Sequence, residues 1–457
     1  MWTVMFSKDK KFYAFGLFIW FYLTLELWIN ERAGVVLGAE RVLILYGAGA
    51  CGVALGFFLF SALSSGEGDG GRKVTLLASS GAVLALSAAQ LLSTPALFVT
   101  AVLLATFCSG LLGARTLDAL SQAHHDSPVL GRSVALFYGA AFLCQQAVTL
   151  AAPHLGGESL KLILLLAAVP AIPWLAAPGG KPSNAGPAAP ERGEQPASLL
   201  LGLLAVTGLL SALVGLNDGI ITTLHAEGHF DVSGFTRLFA PPGLLLAGWC
   251  ADVRGGRYLS LACTVAMAGM TLAGLLFDTP STFWAAGASM YFLGAFMSIY
   301  TIVPFLAAAP GTPNPALWAS AGRGVKYLVT GITAIFGQFL FQRLSVTGFT
   351  AAYTLLLCAL LVVIFFMDRV SEGLSPREER EKDVPPSRED LLKRYGITSR
   401  EAEVLVLLLE GKTTAEAAEH LTISESTVKF HVANLLKKTG AKNRVELATK
   451  LMGQSLP

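Results

Sequence analysis

The residues of this 457-residue chain whose types and spacing point most directly to a chemistry lie near its end. Lys429, Ala433 and Lys437 recur every fourth residue, so on a helix they form one outward stripe, while Val428, Val432, Leu435 and Leu436 fall on the inward face. Ser424 stands where an N-cap is needed to start that helix. A narrow face of small and basic residues suits a helix laid in the major groove of DNA, where ammonium groups meet phosphates.

The stretch Thr398 to Met452 supplies the elements that would hold such a helix. Thr398 and Glu401 form a capping box ahead of Val404, Leu405, Leu408 and Leu409, which share one helical face, and Gly411 stops that helix. Thr413 with Glu416 opens a second helix through Ala417, Ala418 and Leu421. Thr422-Ile423 then leads to Ser424, so the spacing predicts a helix-turn-helix followed by a last helix from Asn443 to Met452. Charge sets the orientation. From Glu401 to Glu425 there are six acidic residues and one lysine, whereas Lys429 to Lys450 holds six basic residues and one acid. The basic half is the one that would face phosphate.

The run Thr398-Ser399-Arg400-Glu401-Ala402-Glu403-Val404-Leu405, with Gly411, Ile423 to His431, Asn434, Lys437-Lys438, Gly440 and Arg444, resembles the LuxR/GerE-type DNA-binding domain. The likeness spans the whole stretch. It implies a four-helix domain whose third helix reads double-stranded promoter DNA, with Ser424, Ser426, Thr427, Val428, Lys429, Phe430, Ala433, Lys437 and Lys438 as the contacting set. The last helix is similar to the family's dimerising helix, which implies Val445, Ala448 and Met452 at a homodimer seam on DNA. The competing reading is a helical protein-interaction module with a solvated basic face.

The rest of the chain has another solvent. Of 33 Lys+Arg and 31 Asp+Glu, 15 of each follow from Asp368, leaving 18 and 16 in the first 367 residues. A hydrophobic share of 53% with mean hydropathy +0.59 places that long segment in a membrane. Apolar runs of near-spanning length are predicted at Phe12 to Ile29, Val42 to Leu63, Val74 to Leu92, Ala96 to Leu117, Val134 to Leu155 and Leu160 to Ala176. Six more follow, at Leu199 to Leu224, Phe235 to Trp249, Leu259 to Phe277, Phe283 to Leu306, Ala321 to Phe341 and Thr350 to Met367. The expected organisation is all-α: residues 1–176 as one six-span half, 177–197 as a cytoplasmic linker rich in Pro, Gly and Ala, 198–367 as the second half, 368–397 as a charged linker and 398–457 as the helix-turn-helix domain.

An even number of spans puts both termini on one side, and the DNA-binding stretch requires that side to be cytoplasmic. Lysine and arginine agree: 13 fall on the expected inner side, counting Arg323 and Lys326 with the loop before the eleventh span, and five on the other (Arg32, Arg41, Lys161, Arg237 and Arg343). The chain is therefore expected in the cytoplasmic membrane, with the opening apolar run retained as a span. Two groups of six spans about a central linker look like the major facilitator superfamily. Gly248-Trp249-Cys250-Ala251-Asp252-Val253-Arg254-Gly255-Gly256-Arg257 is similar to that family's loop motif, with Gly248, Asp252, Gly255 and Arg257 in register. The resemblance implies close helix approach at the glycines and pairing of the Asp and Arg at helix ends.

Few ionisable residues are expected deep within the spans, a paucity that favours sensing over transport. The candidate contacts to an unknown small-molecule ligand are Asn217 and Asp218, which otherwise mark an interfacial helix end, Gln145 and Gln146, which otherwise bond between helices, and Glu26. Pro241, Pro242 and Pro304 are expected to kink spans eight and ten. His124-His125-Asp126 is read as a solvated loop. His225, Glu227, His229 and Asp231 lack zinc-motif spacing, and the six cysteines contain no C-x-x-C pair. Neither metal nor cofactor is expected, and no nucleophile elbow, phosphate loop or catalytic carboxylate pair supports an enzyme. The expected function is a membrane-embedded one-component transcriptional regulator; the alternatives are a transporter with a DNA-binding tail and a passive anchor under partner control.

Overall fold

A computed structural model describes residues 9–64, 70–177, 195–226, 228, 231, 234–256, 258–274, 282–343, 353–364, 395–409, 411–441, 443 and 446–447. Every regular element among them is helical, and the chain divides into two compact units, Met1–Asp368 and Arg369–Pro457.

The first unit runs through α1 (Lys10–Leu37), α2 (Ala39–Ser64), α3 (Gly70–Leu91), α4 (Pro95–His124), α5 (Leu130–Leu155), α6 (Glu158–Leu175) and α7 (Ala197–Ala226). It continues with α8 (Ala240–Asp252), α9 (Leu259–Gly274), α10 (Phe283–Tyr300), α11 (Val303–Ala308), α12 (Pro315–Arg343) and α13 (Tyr353–Ile364). Each expected apolar segment overlaps a helix. Among the described residues eight runs are long and apolar enough to cross a membrane, while α9 and α13 contribute shorter apolar helices. Large apolar side chains also cover the outside: Leu77 and Leu84 on α3, Trp174 on α6, Leu201 on α7, and Ile332 and Phe336 on α12 are exposed. A water-soluble bundle would place polar residues there, whereas hydrocarbon solvates such a surface and the helical backbone satisfies its own polar groups. This unit is a polytopic membrane domain.

Three sequence expectations change here. Pro241 and Pro304 stand in the first turns of α8 and α11, where a missing N–H leaves nothing unpaired, so they start helices rather than kink them. The tenth segment is thereby broken at Thr301 and Ile302 into α10 and α11. His124 is no solvated loop residue: its Nε2 lies 2.8 Å from the Asp9 carboxylate, and its ring packs 4.7 Å from that of Phe12. Asp9 also caps α1 by accepting the Lys11 N–H at 3.0 Å. Finally, α12 begins at Pro315 with the Asn314 side chain accepting the Leu317 N–H, so Arg323 and Lys326 belong to a helix interior and not to a loop.

The second unit comprises α14 (Ser399–Leu409), α15 (Thr414–Leu421) and α16 (Glu425–Thr439). Val404, Leu405, Leu407, Ala417, Ala418, Val428, Val432, Leu435, Ala441 and Leu447 form its core. Leu407 is buried, while Leu408 and Leu409 pack only partly, so the inward face of α14 is rotated slightly from the expected one. Of the expected fourth helix, Glu446 and Leu447 are helical and the Asn443 side chain accepts the Glu446 N–H. Val445, Ala448 and Met452 lie outside the described residues.

Candidate functional site

The helix-turn-helix is set by its caps. Thr398 and Glu401 exchange hydrogen bonds in the expected box: the Glu401 carboxylate accepts from the Thr398 N–H and hydroxyl at 2.8 and 2.9 Å. Thr413 and Glu416 form the second complete box at the start of α15. Thr422 then takes a left-handed conformation at φ +55°, ending α15. Ser424 caps α16 by accepting the Thr427 N–H at 3.2 Å, and Gly440 ends it at φ +65°. Ala417, fully buried, lets α15 lie close against α16.

On α16 the side chains of Ser424, Ser426, Lys429, Phe430, Ala433, Lys437 and Lys438 are exposed and that of Thr427 is half-buried. Phe430 stands 63% exposed, a large aromatic on the outer face. Val428 departs from its assignment: it is fully buried, so it anchors the helix and cannot touch DNA. Lys438 turns back into the module, where its ammonium donates to the Gly396 carbonyl at 2.8 Å and to Glu401 at 2.7 Å. Burial pushes the Glu401 carboxyl up, but the Lys438 and Thr398 hydrogen bonds outweigh it and hold the group below its usual value of 4.5. Lys429 pairs with Glu425 one turn earlier at 2.8 Å, and Thr414 donates to the same carboxylate. The free module therefore shields one of its two outward lysines with its own acid.

The membrane unit holds a cavity of about 190 Å³. Glu26 and Asn30 of α1, Tyr46 of α2, Asp218 and His225 of α7, Arg237, Tyr291 of α10 and Lys326 of α12 border it, among Phe142, Leu244, Met270 and Met290. The Tyr46 hydroxyl donates to Asp218 at 3.2 Å. Two candidate ligand contacts, Glu26 and Asp218, are thus at the cavity. Asn217 is not, because it is buried and donates to the Tyr353 hydroxyl at 2.6 Å, tying α7 to α13. Gln145 and Gln146 are buried as well, and Gln145 donates to Thr149 on its own helix.

Sequence reasoning missed the basic half of this site. Lys326 borders the cavity, and Arg323, fully buried one turn before it, donates to the Tyr327 hydroxyl at 2.6 Å with its guanidinium 4.9 Å from that ring. A charged side chain at mid-membrane costs about 3 kcal/mol even on insertion scales. Two in neighbouring turns overturn the expected paucity of intramembrane charge. Asn314-Pro315, an N-cap followed by the residue favoured at N1, was the available signal, since it moves the helix start back and draws both cations inside.

The opposite end of the bundle is closed by the loop motif. Asp252 accepts from the Gly131 N–H at 2.6 Å, from the Arg132 N–H at 3.0 Å and from Arg132 Nε at 2.8 Å. A carboxylate thus sits on the N-terminus of α5, where helix partial charge favours an anion. Gly131 and Gly248 make the approach possible: a Cβ on either would lie 2.5 Å from the other's carbonyl oxygen. Gly255 falls in the 3-10 turn Val253–Gly256, and Arg257 lies outside the described residues. Asp252 therefore pairs with Arg132. The Ser121 hydroxyl donating to the Leu306 carbonyl at 2.9 Å and Ser61 to Asn314 at 2.7 Å join the two halves at the same end. Among the described residues, no group of three or more His, Cys, Asp or Glu is placed to hold a metal ion.

Comparison with known proteins follows this division. A solved bacterial homologue of the iron transporter ferroportin, in its outward-facing state, superposes with TM-score 0.54 over 79% of this chain and 98% of its own, at 12% identity. That likeness is one of fold alone. The family model described as bacterial regulatory proteins, luxR family, matches residues 396–451. Spore germination protein GerE of Bacillus subtilis (strain 168) is 45% identical over 56 residues, 12% of this chain and 76% of GerE. Transcriptional activator protein SolR of Ralstonia solanacearum is 47% identical over 60 residues, 13% of this chain and 25% of SolR. The chain thus spans most of GerE and about a quarter of SolR, and through residues 396–451 it belongs to the luxR family of bacterial regulatory proteins.

Proposed function

We propose that the protein is a one-component transcriptional regulator of the cytoplasmic membrane, with twelve spans and both termini in the cytoplasm. A small molecule enters the cavity, favours one state of the bundle, and changes the pairing or release of the DNA-binding units. The observation that carries this reading is the joining, in one chain, of a capped helix-turn-helix to a bundle with a charged cavity at one end and a hydrogen-bonded closure at the other. A ligand shifts such an equilibrium only through different affinity for the two states.

On DNA, Lys429 and Lys437 meet phosphates, Ser424, Ser426 and Thr427 line the groove edge, and Phe430 and Ala433 face the bases. The module acts as a homodimer through its last helix, since a single module offers few base contacts. A gel shift with promoter fragments bound in cells tests this: Lys429→Ala should abolish or strongly weaken retention, and unchanged binding at moderate salt would overturn the assignment.

The charged cavity also favours a second reading, secondary transport by the same bundle. Net flux of a cavity ligand into proteoliposomes would support it, and ligand binding without flux would leave the sensor alone.

A further inference from the structure

Arg237 lies in the 3-10 turn Phe235–Phe239 that leads into α8 and borders the cavity, yet it is only 6% exposed. Its guanidinium carbon lies 5.5 Å from the Phe142 ring centroid and 5.7 Å from that of Tyr291. Among the described residues its Nε and Nη1 have no hydrogen-bond partner. Two aromatic faces stabilise a cation but accept none of its in-plane N–H donors, so the guanidinium is held in position with donors to spare. Leaving charged donors buried and unanswered is costly, and an anion supplied from the cavity removes that penalty.

Glu26 and Asp218 are the carboxylates at the cavity, and Lys326 is close enough to act on both and on Arg323. Of the charged groups bordering the cavity, Arg237 and Lys326 match Glu26 and Asp218 in number, so it is the unpartnered donors of Arg237, and not a net charge, that call for an anion. Leu244, Met270, Met290 and Phe142 supply an apolar wall, and methionines adapt to irregular ligands.

We propose that the cavity binds an amphipathic organic monoanion, its carboxylate or similar acid group on the unpartnered donors of Arg237 and its apolar body against Met270, Met290 and Phe142. This deepens the sensor reading and rests on the cavity being the ligand site. The test uses full-length protein in nanodiscs of zwitterionic lipid, without DNA, and reads thermal stabilisation. The probes are medium-chain alkanoates and arylalkanoates, each beside its uncharged amide and its matching amine. Stabilisation by carboxylates but not by their amides or amines is expected. Arg237→Gln, which keeps a polar donor but no charge, should weaken the carboxylates about tenfold or more, the scale of one lost charged hydrogen bond. An unaltered melting temperature without probe certifies that variant's fold; if it is shifted, Arg237→Lys takes its place and is expected to retain binding.

Amides or amines binding as well as the acids, no response to any acid, or an Arg237→Gln protein that binds acids normally would overturn the proposal. The sensor reading fails separately, when acids bind but leave promoter occupancy unchanged. It survives the proposal's failure when promoter occupancy responds to an amine probe instead.

Discussion

On the DNA-binding face we propose, Glu425 sets how readily Lys429 can meet a phosphate. Their 2.8 Å pair spans one turn of the exposed helix face, so a phosphate must displace the acid before it can use the lysine. Glu425→Gln should tighten binding by a few-fold and make it more salt-dependent, as measured by fluorescence anisotropy on an operator fragment. Lys438 does the opposite task. It clasps Glu401 to the start of α14, and because the folded carboxyl sits below its ordinary value, its stabilising contribution is present above pH 4.5 and lost as pH falls through the lower, folded value. Acid titration of unfolding should therefore show a component that Glu401→Gln removes, and an unchanged acid profile in that variant would contradict the clasp. The stripe of Lys429, Ala433 and Lys437 was legible from four-residue spacing. The inward turn of Lys438 was not, because a lysine one residue beyond the stripe reaches either side and only the position of Glu401 decides between them.

Among elements, caps were the most legible feature. Thr398-x-x-Glu401, Thr413-x-x-Glu416 and Ser424 start α14, α15 and α16 as their local hydrogen-bonding chemistry requires. Membrane helices carry weaker punctuation, since an apolar run marks its length but not its first turn. The start of α12 at Pro315 instead of Ala321 accordingly moves Arg323 and Lys326 from the first turns of the expected span into the helix interior. The close approach of α5 and α8 makes a direct prediction. Asp252→Asn keeps the shape but removes the charge that three N–H donors face, so the closed end should open more often. Cysteines placed at Ser121 and Ser61 should then react faster with a membrane-impermeant thiol reagent in inside-out vesicles, and equal rates would contradict the closure. In the second unit, Ala417→Leu should overpack the α15 and α16 contact and destabilise the helix-turn-helix by about 1–3 kcal/mol, seen as loss of operator binding at a lower temperature.

For the whole molecule, the distribution of charge along the sequence is enough to separate the two units, because water and lipid impose different compositions on them. The same distribution hides the cavity. Counting Arg323, Lys326 and Arg237 as loop charges supported the orientation but concealed that all three are buried in or beside the binding space, since a sum over segments carries no depth. In the function we propose, coupling between that cavity and DNA joins the two units into one regulator. The most direct measurement is genome-wide DNA occupancy of the membrane-bound, full-length protein in three strains: wild type, Lys429→Ala and Asp252→Asn. Specific promoter peaks that vanish with Lys429→Ala and change height with Asp252→Asn are the expected result, because the second substitution alters only the state of the bundle. Peaks identical in the wild-type and Asp252→Asn strains, with the bundle demonstrably opened, would contradict the coupling and leave the membrane unit as a transporter or an anchor.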